Sequence, residues 1–400
     1  MRTNYQNHKV LVRVDFNVPM TSDHKVSDNT RIVKAMPTLQ HILNNGGSLI
    51  LMSHLGRPTK SLDANGNIDV EKFTLHHMIP ELEAQFGKKV EWAPDCIGEE
   101  AKQKAAALKP GEVLLIENLR FYKEEEKGDE EFAKKLAALG TYFVFDAFGT
   151  AHRKHASTFF VSTLFDKDHK ELGFLVDEEY QSANKLLNNP ARPYTSIIGG
   201  AKVSDKIKLL DKLIGVSDNI LIGGGMAYTF IKALGGDIGN SLFEPDYVQT
   251  ARDILENAKA KGIKFLLPED SVISDKFSND GDAKVVKSSE VPGEWMALDI
   301  GPEAIKTYSD VIENSKSIMW NGPLGVFEME KFSKGTFETA KSIANATDKG
   351  AFSMIGGGDS VSAINKSGLS ERVSFISTGG GAMLEFLENG GLPCIDIIFE

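Results

Sequence analysis

The chain has 400 residues, 41% of them hydrophobic and 25% charged, with a formal net charge of −11. That length exceeds one comfortable core and points to two domains of roughly 200 residues each. The acidic balance argues against nucleic acid or an anionic membrane surface as a partner, and no run of about 18 apolar residues is available to span a bilayer.

The opening MRTNYQNHKV lacks the apolar core of a signal peptide, and the two cysteines, Cys96 and Cys394, are far apart. Both features suit a cytoplasmic protein in a reducing compartment. Short β-rich runs then alternate with amphipathic segments, the pattern of repeated βα units on a mainly parallel sheet. In the first half the predicted strands are Val10–Val14, Ser48–Met52, a weaker one near Val90, Val113–Ile116 and Tyr142–Phe145. Leu172–Leu187 has helical spacing and stops at Asn188-Asn189-Pro190, so it is the expected linker, an ordinary surface helix of either domain being the alternative. In the second half the strands are Ser196–Ile198, Asn219–Ile222, Lys264–Leu267, Ser317–Met319, Phe352–Ile355 and Ser374–Ile376. Predicted helices cover Thr30–Leu43, Asp129–Ala138, Asp205–Leu213, Met226–Leu234, Asp246–Lys261, Pro302–Asn314 and Lys334–Ala344. Thr59–Asp69 and Ser278–Asp282 read as polar loops.

An open α/β sheet binds its ligand outside the carboxyl ends of the strands. The residues found there differ between the halves. In the first half they are Asp15 and Asn17 after VLVRV, His54 and Arg57 in SHLGRP, Arg120 in IENLRF, and Arg153 in DAFGTAHRKHAS, with Arg31 opening a helix. The chain has 36 Lys and only 9 Arg, and five of those Arg (13, 31, 57, 120 and 153) lie in or beside these segments. A guanidinium grips carboxylate or phosphate with a planar bidentate fork that an ammonium lacks. Surface ion pairs would explain any one of these arginines; the set suits a small, highly anionic, hydroxylated ligand such as a phosphorylated hydroxy acid. All nine His precede residue 170, but their spacing is not that of a zinc site, and no G-x-S-x-G elbow accompanies them.

In the second half the strand ends are glycine-rich: IIGGAKVSDK, LIGGGMAY, IGGGDSVSAI and STGGGAMLEF. Glycine permits close backbone approach, and the following helix offers unpaired N–H groups and a positive dipole end, so phosphate is the expected guest; tight βα turns are the alternative for any one cluster. Neither GxxxxGK[ST] nor GxGxxG occurs. Lys202 and Lys206 would be neighbours at a developing phosphoryl charge if the helix has already begun there; solvated helix lysines are the alternative. Asp359 is the best metal candidate, or else a helix N-cap. Glu328 is placed to accept from ribose hydroxyls, or is simply a surface carboxylate.

Eight segments in order, VLVRVDFNVP, SHLGRP, DAFGTAHRKHAS, IIGGAKVSDKI, GGGMAYTF, WNGPLGVFE, GGGDS and STGGGA, closely resemble the phosphoglycerate kinase family along nearly the whole chain. The resemblance implies an α/β protein of two Rossmann-like three-layer domains with parallel sheets, joined by a helix across a cleft. The expected divisions are 1–171 for 3-phosphoglycerate, 172–189 for the interdomain helix, 190–385 for the nucleotide, and 386–400 returning to the first domain. It implies reversible phosphoryl transfer from 1,3-bisphosphoglycerate to MgADP, giving 3-phosphoglycerate and MgATP, by a cytoplasmic monomer. Carried over by motif, substrate contacts fall on Asp15, Phe16, Asn17, Arg31, His54, Leu55, Gly56, Arg57, Arg120 and Arg153. Nucleotide contacts fall on Lys202, Lys206, Ala297, Asn321, Pro323, Glu328, Gly357, Gly358, Asp359 and Ser360, with Asp359 meeting Mg²⁺. Arg31 and Lys206, with backbone amides at Gly379 and Gly380, would stabilise the phosphoryl group in transit.

This chain departs from the family pattern at Ala297, where Gly is frequent, at Ser360 for Thr, at Phe145 for Asn, and in the tail PCIDIIFE. A dinucleotide-dependent dehydrogenase shares the strand-turn-helix phosphate site but is disfavoured by the absent GxGxxG and the paired lysines. A non-enzymatic nucleotide-binding scaffold would have no need of Arg31, His54 or Lys206.

Overall fold

A computed structural model describes residues 1–63 and 65–400; Ala64, inside the expected Thr59–Asp69 loop, lies outside the described residues. The chain divides into two compact units. Unit 1 comprises Met1–Gln181 and Gly391–Glu400, and unit 2 comprises Ser182–Gly390. The division falls inside the helix Phe174–Leu187.

Unit 1 carries β1 (Lys9–Val14), β2 (Ser48–Met52), β3 (Glu91–Ala93), β4 (Val113–Ile116), β5 (Tyr142–Asp146) and β6 (Lys170–Leu172). They form one six-stranded sheet in the order β3-β4-β2-β1-β5-β6, parallel throughout. Strands β2, β4 and β5 are buried along their whole length, as continuous apolar runs in a sheet covered on both faces should be. Val10, Val12, Leu49, Leu51 and Leu115 build the core with Ile32, Leu39 and Ile42. Those last three line one face of the helix Thr30–Asn44, whose apolar residues recur at helical spacing.

Unit 2 repeats the architecture with β7 (Tyr194–Ile198), β8 (Asn219–Ile222), β10 (Lys264–Leu266), β15 (Ser317–Asn321), β16 (Phe352–Gly356) and β17 (Phe375–Ile376). Their order is β10-β8-β7-β15-β16-β17, again parallel. A second, antiparallel sheet of β11 (Asp270–Ser274), β12 (Ala283–Lys287) and β14 (Met296–Ile300) is added, with a small pair of β9 (Asp237–Ile238) and β13 (Glu290–Val291). The fold is α/β, with two Rossmann-like units.

Each parallel sheet has a topological switch point. In unit 1 the chain leaves β1 for β2 on one side and returns to β5 on the other; in unit 2 it leaves β7 for β8 and returns to β15. Ligand crevices open at such points, beyond the carboxyl ends of the strands.

Candidate functional site

In unit 1 the segments leaving β4, β2, β1 and β5 lie side by side because those strands are neighbours. Backbone and side-chain bonds tie them together. Asn17 Oδ1 accepts from Gly56 N at 2.8 Å, Ser53 Oγ accepts from Phe16 N at 2.9 Å, and Arg120 Nη1 donates to Gly56 O at 2.9 Å. Asn118 Nδ2 donates to Leu55 O at 2.9 Å, which fixes the turn carrying His54 to Arg57. Arg31, in the first turn of its helix, donates to Asp15 Oδ2 at 2.9 Å, yet its side chain stays 40% exposed and open to a further anion. On the β5 side Gly149 abuts the Asp15 carboxylate, where a Cβ would stand 3.0 Å from Oδ2.

Positive charge accumulates below this surface. Arg120 is buried, and desolvation, with Arg13 nearby, lowers it to about 10. His54 is held well below its ordinary value by burial and by Arg13, Arg120 and Arg31. Arg153 donates from Nε to His152 Nε2 at 3.0 Å, and its carbonyl accepts from the buried Cys394 thiol at 3.2 Å. Asp15, Phe16, Asn17, Arg31, His54, Leu55, Gly56 and Arg120 therefore belong to one bonded group of strand exits, while Arg153 lies on the β5 exit and is bonded to His152 and Cys394 instead. Arg57 is exposed on the same β2 exit and opens a 3₁₀ turn.

In unit 2 a cavity of about 460 Å³ lies beyond the strands, walled by Gly200, Gly224 and Gly225 on one side and Met296, Ala297 and Leu298 on the other. Pro323, Glu328 and Asp359 complete its rim. Lys206, Asn321, Gly357 and Ser360 form an adjoining linked group. The Lys206 ammonium donates to Asn321 Oδ1, and Ser360 Oγ accepts from Gly322 N. A Cβ on Gly357 would stand 3.1 Å from the Asn321 amide. Burial lowers Lys206, opposed by Asp205, Glu388 and Asp359. Gly379 and Gly380 precede the helix Gly381–Asn389, of which Gly380 is the N-cap.

Three expectations change. The helix begins at Ile207, with Lys206 as its N-cap, so Lys202 and Lys206 do not share a helical turn; Lys202 is exposed on the preceding loop. Gly357 is the N-cap of the helix Gly358–Lys366, so Asp359 is not a cap but an exposed carboxylate in its first turn. The glycines also divide. A Cβ on Gly199 would lie 2.0 Å from Pro323 O, and one on Gly224 would lie 2.5 Å from Gly200 O, so these glycines close the β7/β15 switch point against the protein's own backbone. At Gly200, Gly358, Gly380 and Gly381 a Cβ would meet nothing within 4 Å, which leaves room for a ligand.

Sequence reasoning missed Tyr228, Asn240, Leu242 and Phe277 on the cavity wall and the buried Asp299 beside it. Asp299 lies in β14 of the antiparallel sheet, and Phe277 follows β11 on the way to β12, a strand that is largely exposed and shows no apolar alternation, so the usual signal was lacking around Phe277.

The phosphoglycerate kinase family model matches residues 1–390. The chain belongs to the phosphoglycerate kinase family. A phosphoglycerate kinase of Chloroherpeton thalassium is 49% identical over 391 residues, covering 98% of this chain and 96% of that one. A cytosolic phosphoglycerate kinase of Triticum aestivum is 48% identical, covering 96% and 94%. Among solved structures, phosphoglycerate kinase from Coxiella burnetii superposes with a TM-score of 0.90 at 38% identity, covering 99% of this chain and 96% of that one. As a phosphoglycerate kinase the chain is a glycolytic phosphotransferase. It moves a phosphoryl group reversibly between 1,3-bisphosphoglycerate and ADP, giving 3-phosphoglycerate and ATP. Among the described residues no helix is long and apolar enough to cross a membrane.

Proposed function

We propose that the strand exits of unit 1 hold 3-phosphoglycerate and that the cavity of unit 2 holds the nucleotide. The observation that supports this most is the chemical opposition of the two regions. One joins Arg31 to Asp15 and, through Gly56, Arg120 to Asn17, with Arg153 on the neighbouring β5 exit; the other is a glycine-walled, largely apolar cavity whose carboxylates are Asp299, Glu328 and Asp359. Guanidinium forks match a carboxylate and a phosphate, and Asp15 and Asn17 match a hydroxyl. Ala297, Asn321 and Pro323 serve the adenosine, Glu328 the ribose, and Lys202 and the Gly357–Ser360 turn the phosphates.

Mg²⁺ fits this donor set. It keeps several waters and takes one or two carboxylates with phosphate oxygens, and Asp359 is an exposed carboxylate at a helix start that itself suits phosphate. Bound there, the metal would neutralise phosphate charge. The protein's own share is to orient the reactants and stabilise charge on the phosphoryl group, through Arg31 and Lys206 with the amides of Gly379 and Gly380. An acyl phosphate is already an activated donor, so the transfer is direct and in line, with no phosphoenzyme.

The functional division follows 1–171 for the triose substrate and 190–385 for the nucleotide, with 172–189 as the connecting helix and 386–400 returning to the first part. Substrates bound to different units must be brought together with water excluded, so the reaction requires closure. The enzyme works as a monomer, and in the cytoplasm, the second in keeping with the cytosolic relative. Small-angle scattering tests the closure. The radius of gyration should fall only when 3-phosphoglycerate and the magnesium nucleotide are both present; an unchanged radius with both bound would contradict it.

A further inference from the structure

The Arg13 guanidinium is fully buried one residue before the end of β1, and two of its three contacts are with oxygen acceptors. Nε donates to Ser157 Oγ at 2.8 Å, Nη1 to the Val14 carbonyl, and Nη2 reaches His54 Nδ1 at 3.2 Å. The charge is balanced at one remove. The Ser157 hydroxyl donates to Glu125 Oε1 at 2.6 Å and its N–H donates to Oε2 at 2.9 Å, and Glu125 is itself fully buried.

A guanidinium has five N–H donors and no acceptor, and it does not deprotonate in proteins. An atom 3.2 Å from one of its nitrogens must therefore present a lone pair. An N–H at that position of His54 would point one donor at another inside a buried pocket, at a separation of 3.2 Å that leaves no room for a third group between them. We infer that Arg13 fixes His54 as its neutral Nε2–H tautomer, so that His54 gives the anionic ligand of unit 1 a directed N–H donor without a charge of its own. The other groups around the ring push the same way: burial and the charges of Arg13, Arg120 and Arg31, with His155 beside them, all oppose an imidazolium. Among the described residues the ring is held through Nδ1 alone, which leaves Nε2 for a ligand. Charge and direction are thus divided between two residue types. The arginines supply the field, and His54 supplies a fixed hydrogen-bond vector. Arg13 is a positioning residue that acts on the ligand through this ring, and its role rests on the reading that His54 belongs to the 3-phosphoglycerate site.

Nitrogen-15 NMR of the histidine rings in the whole labelled chain tests the inference, with the His54 signals assigned by their loss in His54→Gln. The expected spectrum has an unprotonated Nδ1 and a protonated Nε2 from pH 8 to pH 6, and Nε2 shifts when 3-phosphoglycerate is added. A protonated Nδ1, or a doubly protonated ring at pH 6, would overturn the inference. An Nε2–H ring that ignores 3-phosphoglycerate would overturn the substrate reading and leave the tautomer assignment standing. In Arg13→Met the ring should become a mixture of tautomers with a weaker affinity for 3-phosphoglycerate. A single Nε2–H form in a folded Arg13→Met protein would remove Arg13 from the account, and if that variant fails to fold the unmodified chain still decides the tautomer.

Discussion

At Gly199 a methyl group would come within 2.0 Å of the Pro323 carbonyl oxygen, whereas at Gly358 it would meet nothing within 4 Å. The two glycines are read identically in sequence, each following a strand and opening toward a helix, yet they answer different physical demands. Gly199→Ala is expected to destabilise unit 2 by about 1–3 kcal/mol, the cost of overpacking a well-packed position. Gly358→Ala is expected to change stability by less than about 0.5 kcal/mol while weakening ADP binding, because the methyl group occupies the space a phosphate needs. Urea melts and calorimetry separate these outcomes; wild-type ADP affinity in Gly358→Ala would take the phosphate away from that helix start. His155 carries a second residue-scale consequence. Burial, with Arg120 and Arg13 nearby, lowers it to about 3 from its ordinary 6.5. The unfolded chain therefore binds a proton there that the folded chain refuses, so its contribution is present above about pH 6.5 and is lost as pH falls toward 3. The drop in melting temperature between pH 7 and pH 5 should be smaller in His155→Gln than in the parent chain, and an equal drop would deny His155 this role.

Elements are positioned by a few buried polar groups rather than by apolar contact alone. Asp299, near the end of β14, accepts from Ile300 N at 2.9 Å and from Gly335 N at 2.7 Å. The second bond ties β14 to the first turn of the helix Lys334–Asp348, and Val326 N donates to Leu298 O at 2.8 Å in the loop that leads to Glu328. Asp299→Ala leaves the Gly335 N–H without its acceptor and is expected to cost about 1–3 kcal/mol. A denaturant melt reads this directly, and an unchanged midpoint would show that the helix start is held by something else. Asp299 was not legible in the sequence, since nothing in ALDIGP marks a carboxylate as buried. What was legible had strong periodicity. Ser48–Met52, Val113–Ile116 and Asn219–Ile222 coincide with β2, β4 and β8, and the helix over Thr30–Leu43 extends one residue further. The helices Ile79–Phe86 and Glu99–Ala107 went unpredicted: the second is weakly amphipathic, burying only Ala101 and Ala105. Strand exits were legible because polar residues directly after an apolar run are unusual. Arg13 belongs to the same motif, but its burial depended on Ser157 and Glu125, more than a hundred residues away in sequence.

On the scale of the molecule, two similar sheets carry different chemistry because their strand exits differ. The scaffold is shared, and the exits decide what each unit recognises. On the proposed reading the anionic triose belongs to unit 1 and the magnesium nucleotide to unit 2. Isothermal calorimetry of Arg31→Ala and Asp359→Ala, each titrated separately with 3-phosphoglycerate and with MgADP, tests this most directly. Arg31→Ala should lose 3-phosphoglycerate affinity at least tenfold, about 1.4 kcal/mol, and bind MgADP as the parent chain does; Asp359→Ala should show the reverse. A loss of MgADP affinity in Arg31→Ala, or of 3-phosphoglycerate affinity in Asp359→Ala, would contradict the assignment of the two sites.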